Sequence, residues 1–290
     1  MGVYRAWAAW LALGALLFMT TPTLAQSPAP VNQDLPTSSR EEDADASPRW
    51  KAVRKSVWGS RPIQAATAAQ LQVAAPKRAG DPAVVPIAVS SQWPRGQGNS
   101  IKRITLVIDN NPSPIAAIID FPDTGAWPGF ETRARIDEYS YVRAIAETKD
   151  GQLLMATRFV KASGGCSAPP AGDAAAMEAA IGRMLFRTEA SAAAPGQPVA
   201  IQWTVSHPNH SGMAMDQLTR QFTPAHYLRS VTVSQGNRTL FTADVDFALS
   251  ENPSLRFQFV PQGDAPLRAE AIDTRERRFS GSADLKDMRP

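Results

Sequence analysis

Residues 139–166 read YSYVRAIAETKDGQLLMATRFVKASGGC. Tyr139 to Glu147 and Leu153 to Lys161 are two strand-forming runs on either side of Lys149-Asp150-Gly151. An Asp-Gly pair between such runs is the signature of a tight β-hairpin. The second run leads straight into Gly164-Gly165-Cys166, and Cys166 is the only cysteine of the chain.

Working outward, the same strand-and-turn grammar continues on both sides. Upstream, Leu71 and Val73 lie in a short alternating segment, and Val84 to Val89, crossed by Pro86, reads as an edge strand. Ile101 to Ile108 alternates as a half-buried strand, followed by the turn cluster Asp109-Asn110-Asn111-Pro112. Ile115 to Phe121 and Thr132 to Ile136 are further strands. Trp50 to Trp58 reads as a short amphipathic helix with Val53, Val57 and both tryptophans on one side. Downstream, Asp173 to Arg183 is Ala-rich, with Asp173 placed to cap a short helix. A second strand series follows: Leu185 to Thr188, Val199 to Ser206, Tyr227 to Ser234, Thr239 to Val245, Leu255 to Val260, Leu267 to Ile272 and Arg277 to Ser280. Ala194-Pro195-Gly196 and Gln235-Gly236-Asn237 supply turns. The expected fold is all-β: two immunoglobulin-like β-sandwich domains joined by a Gly-Gly-Cys connector.

The chain start reads as an export signal. Arg5 supplies positive charge, Ala6 to Met19 is apolar, and Thr23-Leu24-Ala25 offers a cleavage site. The apolar stretch is shorter than the ~20 residues of a membrane span. The expected organisation is a signal peptide at 1–25, a disordered Pro/Ser/acid-rich lead at 26–48, a first sandwich at 49–162, the Cys-bearing connector at 163–182 and a second sandwich at 183–290. A periplasmic location with no membrane attachment after cleavage follows from the signal. The net charge of +3 comes from scattered basic residues, which argues against nucleic-acid binding. With one cysteine, hydrophobic cores rather than disulfides must hold the fold.

A lone thiol in an exported chain is either buried and inert or kept free for a purpose. Gly164 and Gly165 give freedom, and Ser167-Ala168-Pro169-Pro170 cannot continue a helix or a central strand, so Cys166 is expected on an exposed, slender arm. Lys161 is the nearby cation, and no histidine lies close in sequence. The absence of a built-in base fits a passive carrier better than an enzyme.

These residues resemble the two subunits of the sulfur-oxidation carrier SoxYZ joined in one chain, and more narrowly the SoxYZ-like carriers associated with quinoprotein dehydrogenases. The Y-like residues are Val85-Pro86-Ile87, Asp109-Asn110-Asn111-Pro112, Thr132-Arg133-Ala134-Arg135 and Gly164-Gly165-Cys166. The Z-like residues are His207-Pro208-Asn209-His210-Ser211-Gly212, Pro224-Ala225-His226-Tyr227, Ser250-Glu251-Asn252-Pro253 and Ala269 to Thr274. The resemblance implies that Cys166 bears a covalent sulfur intermediate on a flexible arm, Gly164 and Gly165. Periplasmic oxidoreductases with c-type haem or a quinoprotein cofactor would do the chemistry, and the chain would need no cofactor of its own. The Y-like and Z-like halves would pack on each other, the second steadying the first. Two departures stand out. The arm is internal and tethered at both ends, and Ser167-Ala168-Pro169-Pro170 replaces the glycines that follow the cysteine in the family motif.

The rival constellation is His207, His210, Met213 and Met215, a soft-ligand set suited to copper in an oxidising compartment. It would make the chain a metal-binding accessory protein of a quinoprotein dehydrogenase. The plainer reading is a polar loop with core-filling methionines. A structural interaction module with an incidental cysteine is the third possibility. His226 reads as a loop-orienting or interface residue, Trp93, Trp127 and Trp203 as core or loop anchors, and Asp109, Asp120 and Asp123 as turn residues. Asn209-His210-Ser211 and Asn237-Arg238-Thr239 match the glycosylation pattern, here by chance.

Overall fold

A computed structural model describes residues 44–93, 98–123, 125–170, 172–188, 196–216 and 219–288. The expected signal peptide, most of the lead and the Ala194-Pro195 part of one turn lie outside the described residues. The chain opens with helix α1 (Pro48–Trp58), then β1 (Ile63–Ala65), β2 (Gln72–Ala74), β3 (Val85–Ser90), β4 (Ile101–Ile108), β5 (Ile115–Asp120), β6 (Phe130–Ala134), β7 (Ser140–Thr148) and β8 (Leu153–Val160). Helix α2 (Ala174–Ala180) follows the cysteine segment. Then come β9 (Met184–Thr188), β10 (Val199–Val205), β11 (Leu228–Gln235), β12 (Arg238–Val245), β13 (Ser254–Phe259), β14 (Leu267–Asp273) and β15 (Arg278–Ala283). The all-β expectation holds.

The turns form where their chemistry allows. Gly151, at φ 86°, closes the β7–β8 hairpin, with its N–H on the Thr148 carbonyl at 3.0 Å. Gly236, at φ 55°, makes the β11–β12 turn, with its N–H on the Pro266 carbonyl at 3.1 Å. Asp173 caps α2 by accepting the Ala175 N–H.

Two sheets make the sandwich. One runs β1-β8-β7-β4-β5-β12-β11-β14-β15 and the other β2-β3-β6-β13-β10-β9. Both cross from the first half of the chain into the second. In the larger sheet β5 pairs with β12, Ile119 opposite Ala243. In the smaller, β6 meets β13 at Glu131 opposite Arg256. One apolar cluster draws on both sheets and both halves, from Val85 and Ile104 to Trp203, Phe257 and Leu267. The halves are therefore joined by main-chain ladders and a shared core.

Three local expectations are corrected. β4 is not half-buried: apart from Lys102 and Arg103 all its residues are buried. The reason is α1, whose Trp50 and Trp58 cover Val107, Ile145 and Leu153 on the outer face. Val57, expected on that apolar side, is 42% exposed. β3 is not at the sheet edge, since β2 and β6 flank it. β2 pairs only with Ala88, Val89 and Ser90, so Pro86 lies beyond its reach and owes no hydrogen bond on that side.

The end of the lead is engaged as well. The Ser47 hydroxyl accepts the Trp50 N–H at 3.2 Å, and Pro48 opens the helix. Arg143, fully buried, donates to the Ala44 carbonyl, pairs with Asp109 at 2.7 Å and lies 4.3 Å over the Trp50 ring. A buried guanidinium thus fastens the helix to the sheet.

Candidate functional site

The site is built on the continuation of β6, residues 135–137. Asn111, 1% exposed, splints this stretch: its amide donates to the Arg135 carbonyl at 2.8 Å, and its side-chain oxygen accepts the Asp137 N–H at 2.9 Å. The turn cluster that interrupts β4 and β5 therefore shapes the site. From the second half of the chain, the Ala248 carbonyl accepts the Arg135 N–H at 2.7 Å, and the Arg135 guanidinium donates to the Leu249 carbonyl at 3.2 Å. Ser250 donates its hydroxyl to the Ala83 carbonyl at 2.7 Å and its N–H to the Arg133 carbonyl at 2.9 Å.

The cysteine segment lies across this floor. After β8, the Lys161 N–H and carbonyl are held by Lys77 and Ala79. The chain then turns at Gly164, φ 82°. The N–H groups of Gly164 and Gly165 donate to the Asp137 and Ile136 carbonyls at 2.7 and 3.0 Å. The Cys166 N–H reaches the Asp137 carboxylate at 3.3 Å. The Ser211 hydroxyl donates to the Cys166 carbonyl at 2.5 Å.

Cys166 is fully buried, at 0% exposure, which corrects the expectation of an exposed thiol. Gly165 serves close approach rather than freedom of the arm. A Cβ there would stand 2.1 Å from the Pro82 carbonyl oxygen and 2.7 Å from that of Ile136. The peptide can press into the floor only because it has no side chain. The thiol nevertheless lies outside the apolar clusters and keeps polar company, with Asp137, Arg135 and Asp246 near enough to act on its charge. Burial pushes its pKa up to about 12, the Asp137 and Asp246 carboxylates push the same way, and Arg135 opposes them. The thiol is thus held protonated and unreactive in this position. Lys161 is exposed and is not among the charges acting on it.

The histidine loop folds into a buried polar network. His207, His226 and Asp273 are buried together, their ligand-type atoms all within 4.8 Å of one another. They do not fit a metal. His207 Nδ1 accepts the Asn209 N–H at 3.0 Å, so the neutral ring carries its proton on Nε2, which faces Asp273 Oδ2 at 3.6 Å. A cation on Nε2 would demand a ring with no proton at all. Asp273 is also committed: its Oδ2 pairs with Arg277 Nε at 2.9 Å, and its Oδ1 accepts the N–H groups of Arg275 and Arg277. This is a structural network tying the loop to the end of β14. Burial pulls the His207 pKa down to about 3. Desolvation also lowers that of His210.

Of the copper set, His207 is turned into this network, His210 pairs through its backbone with His226, and Met215 is exposed and paired with Phe222. Asp109 pairs with Arg143, Asp120 with Arg103 and Asp123 with Lys149, so these carboxylates serve separate ion pairs. Trp203 is core, Trp93 anchors a loop by donating to the Asn99 carbonyl at 2.7 Å, and Trp127 is partly exposed. The sequence reading did not single out Asp137 and Ser211 as site residues. Nothing in local spacing marks either; Ser211 lies 45 residues from Cys166.

Comparison with known proteins agrees with this layout. Residues 54–166 match the family described as Sulfur oxidation protein SoxY, and residues 186–284 match Sulphur oxidation protein SoxZ. No curated protein matches the chain. Among solved structures, the sulfur carrier protein SoxY from Chlorobium limicola f thiosulfatophilum is 27% identical, over 40% of this chain and 96% of that one, with a TM-score of 0.33. A superoxide reductase (neelaredoxin) from Ignicoccus hospitalis is 16% identical, over 44% of this chain and 100% of that one, with a TM-score of 0.30. Two matches in tandem, meeting across shared sheets, account for most of the described residues: the chain is a fused SoxYZ-like protein of the sulfur-oxidation carriers.

Proposed function

We propose that Cys166 is the covalent attachment point of a sulfur-containing intermediate, carried between partner oxidoreductases in the periplasm, and that the chain itself performs no catalysis. One observation carries this reading: the SoxY match ends on Cys166, the chain's only cysteine. Its position on a short segment with Ser163, Ser167, Pro169 and Pro170 exposed to either side supports it. No helix among the described residues is long and apolar enough to cross a membrane.

Attachment breaks the Cys166 S–H bond and forms an S–S bond to the cargo. The proton leaves to solvent, and the two electrons go to the partner, a haem or quinoprotein oxidoreductase. The chain offers the thiol and the binding surface, and activation of the thiol is left to the partner.

Intact-mass analysis of the exported protein, isolated during sulfur oxidation, tests this. The wild type should carry a sulfur-containing adduct that is absent from Cys166→Ser, with the fold of the variant unchanged. A wild type of unmodified mass under turnover overturns the reading.

A further inference from the structure

We propose that the Gly164–Cys166 arm is a latched shelter for the thiol, closed by Ser211 of the SoxZ half, and that this latch must open before the thiol can react. The meaning of the latch for carriage rests on the function proposed above; the docking of the arm does not.

Three observations carry it. First, the arm is fitted to its floor. The contacts that a Cβ at Gly165 would make with the Pro82 and Ile136 carbonyls are with backbone, which cannot rotate away as a side chain can. A segment kept only for flexibility would have no such requirement. Second, three successive N–H groups, of Gly164, Gly165 and Cys166, are all spent on residues 136–137. Third, the closing bond comes from the other half of the chain. The Ser211 hydroxyl accepts the Met213 N–H at 3.1 Å, which leaves its one proton directed to the Cys166 carbonyl.

The latch is also short. Gly165 and Cys166 are buried, whereas Ser163 and Ser167 on either side are exposed. Release therefore breaks a few hydrogen bonds and uncovers little apolar surface, and the sandwich can stay intact throughout. A sulfur with no solvent exposure is out of reach of a partner's active site, so loading an adduct requires the open arm. In the closed state the thiol is kept from oxidation. The SoxZ half thus acts as the latch in addition to steadying the SoxY half.

Alkylation of the full chain by iodoacetamide at pH 8 tests the latch, with glutathione as the unhindered reference. The wild-type thiol should react roughly a hundredfold or more slowly than glutathione, because burial suppresses both thiolate and access. Gly165→Ala should react at least about tenfold faster than wild type, and Ser211→Ala several times faster, with melting temperature retained. A wild-type rate equal to that of glutathione overturns the proposal. So does a Ser211→Ala rate equal to wild type, which decides the matter even if Gly165→Ala fails to fold. This readout needs no cargo, so a failed latch and a failed carrier are told apart: the first shows in alkylation rates, the second in intact mass.

Discussion

Ser211, in the SoxZ half, hydrogen-bonds through its hydroxyl to the carbonyl oxygen of Cys166, the last residue of the SoxY match, at 2.5 Å. The bond links the reactive arm to a loop that is itself anchored deep in the second half. Asn209, two residues earlier, donates to the Leu249 carbonyl at 2.7 Å and accepts the Leu228 N–H at 3.0 Å. The thiol's position is thus set by both halves of the chain, and several measurable consequences follow from it.

Raising the pH should open the arm. The thiol pKa is raised in the docked state, from 9.0 to about 12, so the docked state holds its proton where a free thiol has lost it. Docking stability is complete below pH 9 and declines as pH rises toward 12, at about 1.4 kcal/mol per pH unit. Thiolate absorbance near 240 nm should therefore lag that of a free thiol, and alkylation should steepen over this range while far-UV circular dichroism stays native. A thiol that titrates at its ordinary value in the folded protein contradicts this.

Lowering the pH should destabilise the whole fold. His207 has its pKa lowered from 6.5 to about 3, so between those values the unfolded chain binds a proton that the folded one refuses. Stability is complete above about pH 6.5 and falls as pH drops toward 3, by about 1.4 kcal/mol per unit for this one group. His210, also lowered, adds in the same direction. Asp273, held below its ordinary value by His226 and Arg277 against the opposing effect of burial, adds a further loss under more acid conditions. Urea midpoints measured at pH 7, 5.5 and 4.5 should fall steadily, and His207→Gln should flatten that slope. Equal slopes for the two proteins would remove His207 from the account.

Asn111→Ala should loosen the floor beneath the thiol. The change orphans the buried Arg135 carbonyl, at about 1–3 kcal/mol, and the part-buried Asp137 N–H, at a smaller cost because water can reach it. Thermal melts should show the loss, and Cys166 should alkylate faster than in wild type. A destabilised protein with an unchanged alkylation rate would mean that residues 135–137 hold their shape without the splint.

Arg143→Met should unfold the protein more readily than an ordinary surface change. It strands Asp109, 1% exposed, as an unpaired buried carboxylate, at about 3–5 kcal/mol. It also removes the cation from above Trp50. Arg143→Met combined with Asp109→Leu should recover a large part of the loss. Urea unfolding followed by tryptophan fluorescence reads both, and a double variant as unstable as the single one contradicts the assignment.

Much of the architecture was legible before any coordinates. The Asp150-Gly151 and Gly236-Asn237 turns marked two hairpins because only a few residues tolerate the backbone those turns need. Asp173 marked α2 because its carboxylate meets a free N–H. By contrast, the burial of β4 is not legible in its own residues, because its outer face is covered by α1, a partner that a period count within one strand does not contain. Pro86 signalled an edge, and the strand turned out to be flanked by a neighbour too short to reach it.

What the chain's order of residues determined by itself was local: strand and turn placement, the tandem of two halves, and a single thiol behind two glycines. Those follow from backbone preference and residue inventory, which need no distant partner. Only the tertiary structure decided that Ile119 pairs with Ala243 to run one sheet through both halves, that His207 is drawn into a buried network with His226 and Asp273, and that the glycines press Cys166 inward under Ser211. Each of these depends on atoms far apart in sequence brought within a few ångströms, where packing and hydrogen-bond satisfaction, rather than local propensity, set the outcome.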